Sequence, residues 1–301
     1  MAIHLTCSTI CFRNQPLDVM LDEIRRAGFL GLDLALVPGF CDPIDVLGAS
    51  PGERQAFVAR VREAGFALPT LTVVPGSFNA PGADADAIAR NAALFLDLAA
   101  QLGIPAVNIN CGQPIQDRSR FREHAVLQAQ GLRRIARMAA ASRIALNVEA
   151  PHRNGLCRTL DEAFFLIDEI GEGNVRFLLD TTHVLAGGAS PADAVVHFGS
   201  RLGCVHLRDG RGELIFLVPG DGEIDFRGFF AALEAARYAG PCALELEGHG
   251  ETVEERRAGV ARALCYLLTQ GEAFTGLAGG GTPPTDDARR GPIGPGSEGR
   301  P

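Results

Sequence analysis

Residues 144–183 contain Ile144-Ala-Leu-Asn-Val-Glu149, then Ala150-Pro151-His152, an amphipathic stretch over 160–170, and Val175-Arg-Phe-Leu-Leu-Asp180 leading into Thr181-Thr182-His183. Two short apolar runs are separated by a helical pattern, and each run ends on a carboxylate. Strands joined through a helix of this length lie parallel, whereas a tight turn would leave them antiparallel. The alternation continues outward in both directions. Further strand-like runs cover 3–8, 31–36, 69–73, 106–110, 204–206 and 243–245. Further helical patterns cover 17–27, 53–64, 84–102, 121–142, 192–202, 226–238 and 253–269. The strand–helix pairs repeat every about 33 residues. Repeats of this kind predict an α/β fold, a parallel (β/α)8 TIM barrel of about 250 residues.

The helix-end signals agree with that reading. Gly28, Gly65, Gly103, Gly171 and Gly240 each follow a helical run, where a left-handed residue closes the last turn. Ser190 followed by Pro191 reads as an N-cap and a first-turn proline. An open doubly wound sheet would carry a glycine-rich phosphate loop after its first strand. Here residues 7–13 hold no glycine. From Gly276 to Pro301 the composition turns to Gly, Pro, Thr, Asp and Arg, which cannot bury enough apolar surface to offset ordering. The expected organisation is one barrel domain over 1–275 and a disordered Gly/Pro-rich tail over 276–301.

The chain has 301 residues, 47% of them hydrophobic, enough for one large core. Its formal net charge of −8 argues against nucleic acid as a partner. No leader-like segment follows Met1 and no apolar run reaches membrane-span length, so a cytoplasmic protein without a membrane partner is expected. The eight cysteines are scattered without a CxxC pair, which favours buried reduced thiols over a disulfide framework. The chain contains no lysine at all. Schiff-base aldolases, pyridoxal-phosphate enzymes and Walker-type phosphate loops need that amine and are excluded. The lack of lysine, and of a phosphate-binding glycine loop after the seventh or eighth strand, favours a non-phosphorylated substrate.

Active sites of such barrels lie at the C-terminal ends of the strands. The last four strands all carry ionisable residues there: Glu149, Asp180, His206 in Cys204-Val-His206-Leu-Arg208-Asp209, and Glu245 in Cys242-Ala-Leu-Glu245-Leu-Glu247. Taken singly, each has a structural explanation: a barrel salt bridge for a glutamate, an N-cap for Asp180, a hydrogen-bonded core histidine for His206. Together they do not, because three packed carboxylates repel unless a cation lies among them. The set suits one divalent metal ion: Mn²⁺, Co²⁺, Mg²⁺ or Zn²⁺. At other strand ends, His152 and Asn110 are expected to contact substrate hydroxyls or to brace loops. Asp33, in the second strand, reads equally as a salt-bridge partner.

Asp180-Thr-Thr-His183, Val184-Leu-Ala-Gly-Gly188, His206-Leu-Arg-Asp209, Gly220-Asp-Gly-Glu-Ile-Asp225-Phe226, Gly240 and Glu245 follow one another in that order. In order and strand placement they resemble the xylose isomerase-like TIM barrel superfamily, over roughly residues 3–270. The resemblance implies Glu149, Asp180, His206 and Glu245 as metal ligands, with manganese the first expectation. It implies substrate contacts for His183 and Arg208. Glu247 points to the same side of its strand as Glu245 and is the alternative ligand.

The expected activity is isomerisation or epimerisation of a small keto-sugar or polyol, by proton abstraction next to a carbonyl through a metal-bound enediolate. Glu149 and Glu245 are the expected catalytic groups. A dehydratase of the inosose or dehydroshikimate kind shares the first half of that reaction and stays open. A non-catalytic sugar-binding barrel is a further alternative. An endonuclease IV-like diesterase is disfavoured, because the extra histidines of a three-metal cluster are missing at the ends of the third and fourth strands. The apolar run 214–218 in the seventh loop is expected to be a lid or a contact in a homo-oligomer.

Overall fold

A computed structural model describes residues 2–212 and 214–279. Its strands are β1 (Ile3–Ser8), β2 (Gly31–Leu36), β3 (Ala67–Val73), β4 (Ala106–Asn110), β5 (Ala145–Glu149) and β6 (Val175–Asp180). They continue with β7 (Leu202–Leu207), β8 (Asp209–Arg211), β9 (Leu214–Leu217), β10 (Pro241–Leu244) and β11 (Phe274–Thr275). Strands β1 to β7 are neighbours in one parallel sheet, and β10 pairs with both β7 and β1. The sheet is therefore closed, with β10 as the eighth stave of a (β/α)8 TIM barrel. At the seam Leu5 faces Cys242 and Cys7 faces Leu244. Every residue of β2 is buried, the signature of a parallel strand covered on both faces.

The helices are α1 (Leu17–Arg26), α2 (Pro51–Glu63), α3 (Ala85–Leu102), α4 (Phe121–Ala141), α5 (Leu160–Ile170), α6 (Thr181–Ala186), α7 (Pro191–Phe198), α8 (Phe226–Ala235) and α9 (Val253–Leu268). Each long helix turns one stripe inward. On α3 the stripe is Ile88, Ala92, Phe95, Ala99 and Leu102, spaced by three and four residues. Caps fix the starts: Ser50 with Glu53 on α2 and Thr252 with Glu255 on α9 form reciprocal capping boxes. None of the described helices is long and apolar enough to cross a membrane.

Several expectations need correction. Gly28, Gly65, Gly103 and Gly171 are left-handed as anticipated, but Gly240 is not. α8 stops at Ala235 and the reversal falls on Arg237, at φ 54°. A side chain at Gly240 would instead collide with the Tyr238 ring. The run 214–218, expected as a lid or an oligomer contact, lies in a hairpin of β8 with β9. The chain also stays packed past residue 275: Leu277 bridges Phe29, and the Leu30 amide donates to the Gly276 carbonyl at 2.7 Å. The expected tail from 280 onward lies outside the described residues.

The barrel interior holds a polar row. Thr70 Oγ1 donates to Asp33 Oδ1 at 2.7 Å, and Thr72 Oγ1 reaches the same carboxylate at 3.1 Å. Asn108 Nδ2 approaches Asp33 at 3.4 Å, and Asn147 Nδ2 donates to Asn108 Oδ1 at 2.8 Å. All eight cysteines are free thiols, seven of them buried.

Candidate metal centre at the barrel mouth

Parallel register sets Asp180 of β6 beside His206 of β7, and His206 beside Ala243 of β10, two residues before Glu245. Glu149 is the last residue of β5. One ligand atom from each of Glu149, Asp180, His206 and Glu245 lies within 4.8 Å of the others. The imidazole of His206 is 1% exposed, and neither of its nitrogens has a hydrogen-bond partner. Nδ1 is 3.2 Å from Glu245 Oε2 and Nε2 is 3.8 Å from Asp33 Oδ2, near but out of line for hydrogen bonding. A buried, unsatisfied imidazole amid converging carboxylates fits a divalent cation and the N/O donor chemistry such ions take. On the Nε2 side of the ring the neighbouring carboxylate is that of Asp33, at 3.8 Å, placed to orient it.

Asp180 has two roles at once. Its Oδ1 accepts from the amides of Thr182 and His183, both at 2.9 Å, and so caps α6. Its Oδ2 meets Arg208, whose Nε and Nη2 lie 2.8 and 2.7 Å away. Arg208 is 1% exposed; its Nη1 donates to Glu247 Oε1 at 2.6 Å and its Nη2 faces His183 Nε2 at 2.9 Å. Glu247 therefore pairs with the guanidinium, while Glu245 joins the four-residue cluster. The guanidinium, surrounded by site carboxylates, offsets part of their mutual repulsion.

The proton balance follows from this packing. Burial, then the charges of Asp180 and Glu245, push the Glu149 carboxyl well above its usual range. Burial works to raise Asp180 as well, but Arg208, His183 and His206 outweigh it and hold that carboxyl low. At Glu245 burial is likewise outweighed, by His206 and Arg208. Burial disfavours charge on His206, yet the Glu245 carboxylate raises its pKa well above that of free imidazole. Protein groups alone thus balance the cluster with protons on Glu149 and His206, the two protons that a bound cation would displace.

Above the cluster lies a narrow cavity of about 190 Å³, lined by Glu149, Glu245, Glu247, His152, Asn110 and Gln113 among polar residues and by Ile10, Val37 and Phe40 among apolar ones. Asn110 Oδ1 and His152 Nδ1 are buried and have no hydrogen-bond partner. Burial lowers His152 to a pKa of about 4, so its ring is neutral near pH 7. His183 and Arg208 do not line this cavity. The His152 ring packs on His183 with centroids 3.8 Å apart, and His183 is 2% exposed behind it. In this arrangement His183 and Arg208 touch site residues rather than open space.

One organiser was not evident in the sequence. Asp209 Oδ2 accepts from the amides of Gly220 and Gly222 at 2.9 and 3.0 Å, and its Oδ1 from those of Gly210 and Ile224 at 2.8 and 3.2 Å. The signal was the glycine-rich run after it, whose amides need an acceptor. The β8–β9 hairpin leaves Leu214 and Phe216 exposed, at 62% and 44%, with Arg208 Cζ 5.7 Å from the Phe216 ring centre.

Comparison with known proteins adds the following. A profile of the xylose isomerase-like TIM barrel family matches residues 21–269. L-ribulose 3-epimerase of Mesorhizobium japonicum is 27% identical over 289 residues, 91% of this chain and 92% of that protein. D-psicose 3-epimerase of Enterocloster bolteae is 30% identical over 174 residues, 54% of this chain and only 56% of that protein. An inosose dehydratase of Clostridium botulinum is 30% identical over 139 residues, 40% of this chain and 46% of that protein. Among solved structures, a D-psicose 3-epimerase in the presence of D-fructose superposes with a TM-score of 0.72 at 18% identity, covering 89% of this chain and 99% of that one. The IOLI protein with a bound zinc atom superposes with a TM-score of 0.71 at 15% identity, covering 90% of this chain and 100% of that one. At these identities the two superpositions establish the fold.

Proposed function

This chain belongs to the xylose isomerase-like TIM barrel family, and from that premise we propose that it is a divalent-metal-dependent epimerase or isomerase of a small keto-sugar or polyol. The observation that carries the reading is the pair Glu149 and Glu245. Both belong to the four-residue cluster and both line the mouth cavity, one at the end of β5 and the other just past β10. A divalent cation held by Glu149, Asp180, His206 and Glu245 would supply Lewis acidity at a carbonyl and its neighbouring hydroxyl, making the hydrogen beside them acidic.

Glu149 takes that proton as general base, and its raised pKa suits a group that must hold a proton between steps. Return of a proton on the Glu245 side, once that carboxylate has taken one up from solvent, reaches the other face of the same carbon and inverts it. Delivery to the neighbouring carbon gives the isomer instead. Asn110 and His152 bring unpartnered polar atoms to the cavity and orient substrate hydroxyls. Arg208 keeps Asp180 ionised. The L-ribulose and D-psicose 3-epimerase relatives favour a ketose as substrate. The inosose dehydratase relative favours a second reading, a lyase in which the same proton removal is followed by loss of a β-hydroxyl. Manganese is the proposed ion, with zinc its main competitor.

The test is turnover in D₂O of metal-stripped and Mn²⁺-reloaded protein with a panel of ketoses and inososes, alongside elemental analysis of the purified protein. Metal-dependent deuterium at one carbon of an epimer or isomer supports the first reading. An unsaturated or diketone product absorbing in the ultraviolet selects the lyase. Reloaded protein that leaves every substrate free of deuterium sinks both.

A further inference from the structure

The mouth cavity has two unlike walls. The four cluster residues come from β5, β6, β7 and the chain just past β10, which are consecutive staves and form one half of the closed barrel. The other half is β1 to β4, and in it β2 and β3 stand across from β6 and β7. From that far side the cavity is lined by Ile10, which follows β1, by Val37 and Phe40, which follow β2, and by Val74, which follows β3. The side-chain amides in the lining, Asn110 and Gln113, belong instead to the end of β4, where Asn110 is the register partner of Glu149.

The polar groups on the far side are already engaged. Thr72 Oγ1 donates to Asp33 Oδ1 at 3.1 Å and accepts from Asn108 Nδ2 at 3.0 Å. The turn at 37–41 closes on itself: Val37 and Cys41 exchange both backbone hydrogen bonds, at 2.8 and 2.9 Å, and the Phe40 amide donates to the same Val37 carbonyl at 3.0 Å. Arg13 braces the Phe40 ring, with its Cζ 4.5 Å from the ring centre, while its Nε donates to the Glu247 carbonyl at 3.1 Å. Among the described residues no arginine lines the cavity, whereas Glu149, Glu245 and Glu247 do.

The far wall dictates what the end of a substrate can be. With the carbonyl and its neighbouring hydroxyl at the cluster, the last carbon of a keto-sugar lies against Ile10, Val37, Phe40 and Val74. A terminal hydroxyl there loses water and finds no partner, which is unfavourable. A phosphate or carboxylate meets three carboxylates and no counter-charge. A methyl group gains by its burial. We infer that the substrate is a terminally deoxygenated ketose, whose last carbon is a methyl group seated on this apolar wall. The inference rests on the proposed reaction, which sets the carbonyl end at the cluster.

Calorimetric titration of the Mn²⁺-loaded full chain tests it, with three pairs of ketoses that differ only in that terminus: 6-deoxy-D-psicose and D-psicose, L-rhamnulose and L-fructose, L-fuculose and L-tagatose. In any pair whose stereochemistry fits, the deoxy member should bind about 10–100-fold more tightly. Val37→Thr and Val74→Thr keep the side-chain shape and bring a hydroxyl to the wall. Each should narrow that preference by about threefold or more, with Mn²⁺ affinity unchanged. Deuterium exchange of the same ketoses in D₂O reports the reaction separately. Selective binding without exchange keeps the methyl-ended ligand and sinks the reaction; exchange without selectivity does the reverse. The proposal is overturned if the hydroxymethyl members bind as tightly, if none of the ketoses binds, or if both threonine variants keep the parent's preference.

Discussion

Glu149 and Arg208 illustrate how single side chains divide the work at the mouth. Glu149 faces the cavity with its pKa pushed well above the usual range, while Arg208 is buried among carboxylates. Glu149→Gln keeps the shape and removes the base. It should lower metal-dependent deuterium exchange by about 10²–10⁴-fold, with the circular dichroism spectrum unchanged. Arg208→Met acts differently. It leaves Asp180 and Glu247 without their guanidinium partner, and stranding a buried charge costs about 3–5 kcal/mol. Urea unfolding of stripped protein at pH 8 should show a loss of that order. The loss should shrink at pH 5, where carboxylates no longer held down by Arg208 can take up protons, and also with Mn²⁺ bound. An equal loss under all three conditions would mean that Arg208 contributes packing alone. The family resemblance implies substrate contacts for Arg208 and His183. Strand position told which end of the barrel they occupy, but not that His152 would cover one and carboxylates surround the other.

The β8–β9 hairpin is the element whose order rests most on one residue. Asp209 accepts three amide hydrogens from the segment that returns toward α8, and a fourth from Gly210 beside it. Asp209→Ala should therefore speed hydrogen exchange at the Gly220, Gly222 and Ile224 amides and leave protection of β1 to β7 intact, as exchange mass spectrometry can report. If exchange there is unchanged, strand pairing alone orders the loop. The hairpin also shows where legibility ended. Strands β1, β2, β4 and β6 occupy the residues expected from their apolar runs, because strands covered on both faces announce themselves by composition. β8 has no such run, since Asp209-Gly-Arg owes its conformation to a carboxylate. α6 is too short for any periodicity to appear, and Asp180, which ends β6, reads in sequence both as a metal ligand and as an N-cap, the second being the one sign of this helix. Arg237 rather than Gly240 ends the α8 turn, because α8 stops sooner than its apolar pattern suggests. The four-residue cluster was legible for the opposite reason: ionisable residues at successive strand ends must meet once the barrel closes.

At the scale of the whole molecule, stability and ion binding are linked through pH. Glu149 and His206 have raised pKa values, so the folded chain holds protons there that the unfolded chain has released. Their stabilising share is complete below the unfolded values and is lost as pH rises through the folded ones. Asp180 and Glu245, held low, lose theirs only as pH falls through their folded values, in acid. Stripped protein should thus begin to lose stability as pH rises above about 4.3, the unfolded value for glutamate, and more steeply above about 6.5, that for histidine. Protein with Mn²⁺ in place of those protons should not. The stabilisation by Mn²⁺, followed by the gap between the two thermal midpoints, should grow with pH, toward about 4 kcal/mol once free ion reaches a thousand times its dissociation constant. A constant gap would mean that the ion displaces no proton. The closure of the sheet carries a last consequence. β1 finds its second barrel neighbour in β10, near the far end of the chain, with a two-residue contact to β11 beyond it. During synthesis on the ribosome the nascent polypeptide therefore exposes two raw sheet borders until the final stave emerges, an interval in which two such chains can zip together. Premature termination before Pro241 should leave an adhesive fragment, not a smaller version of the same protein.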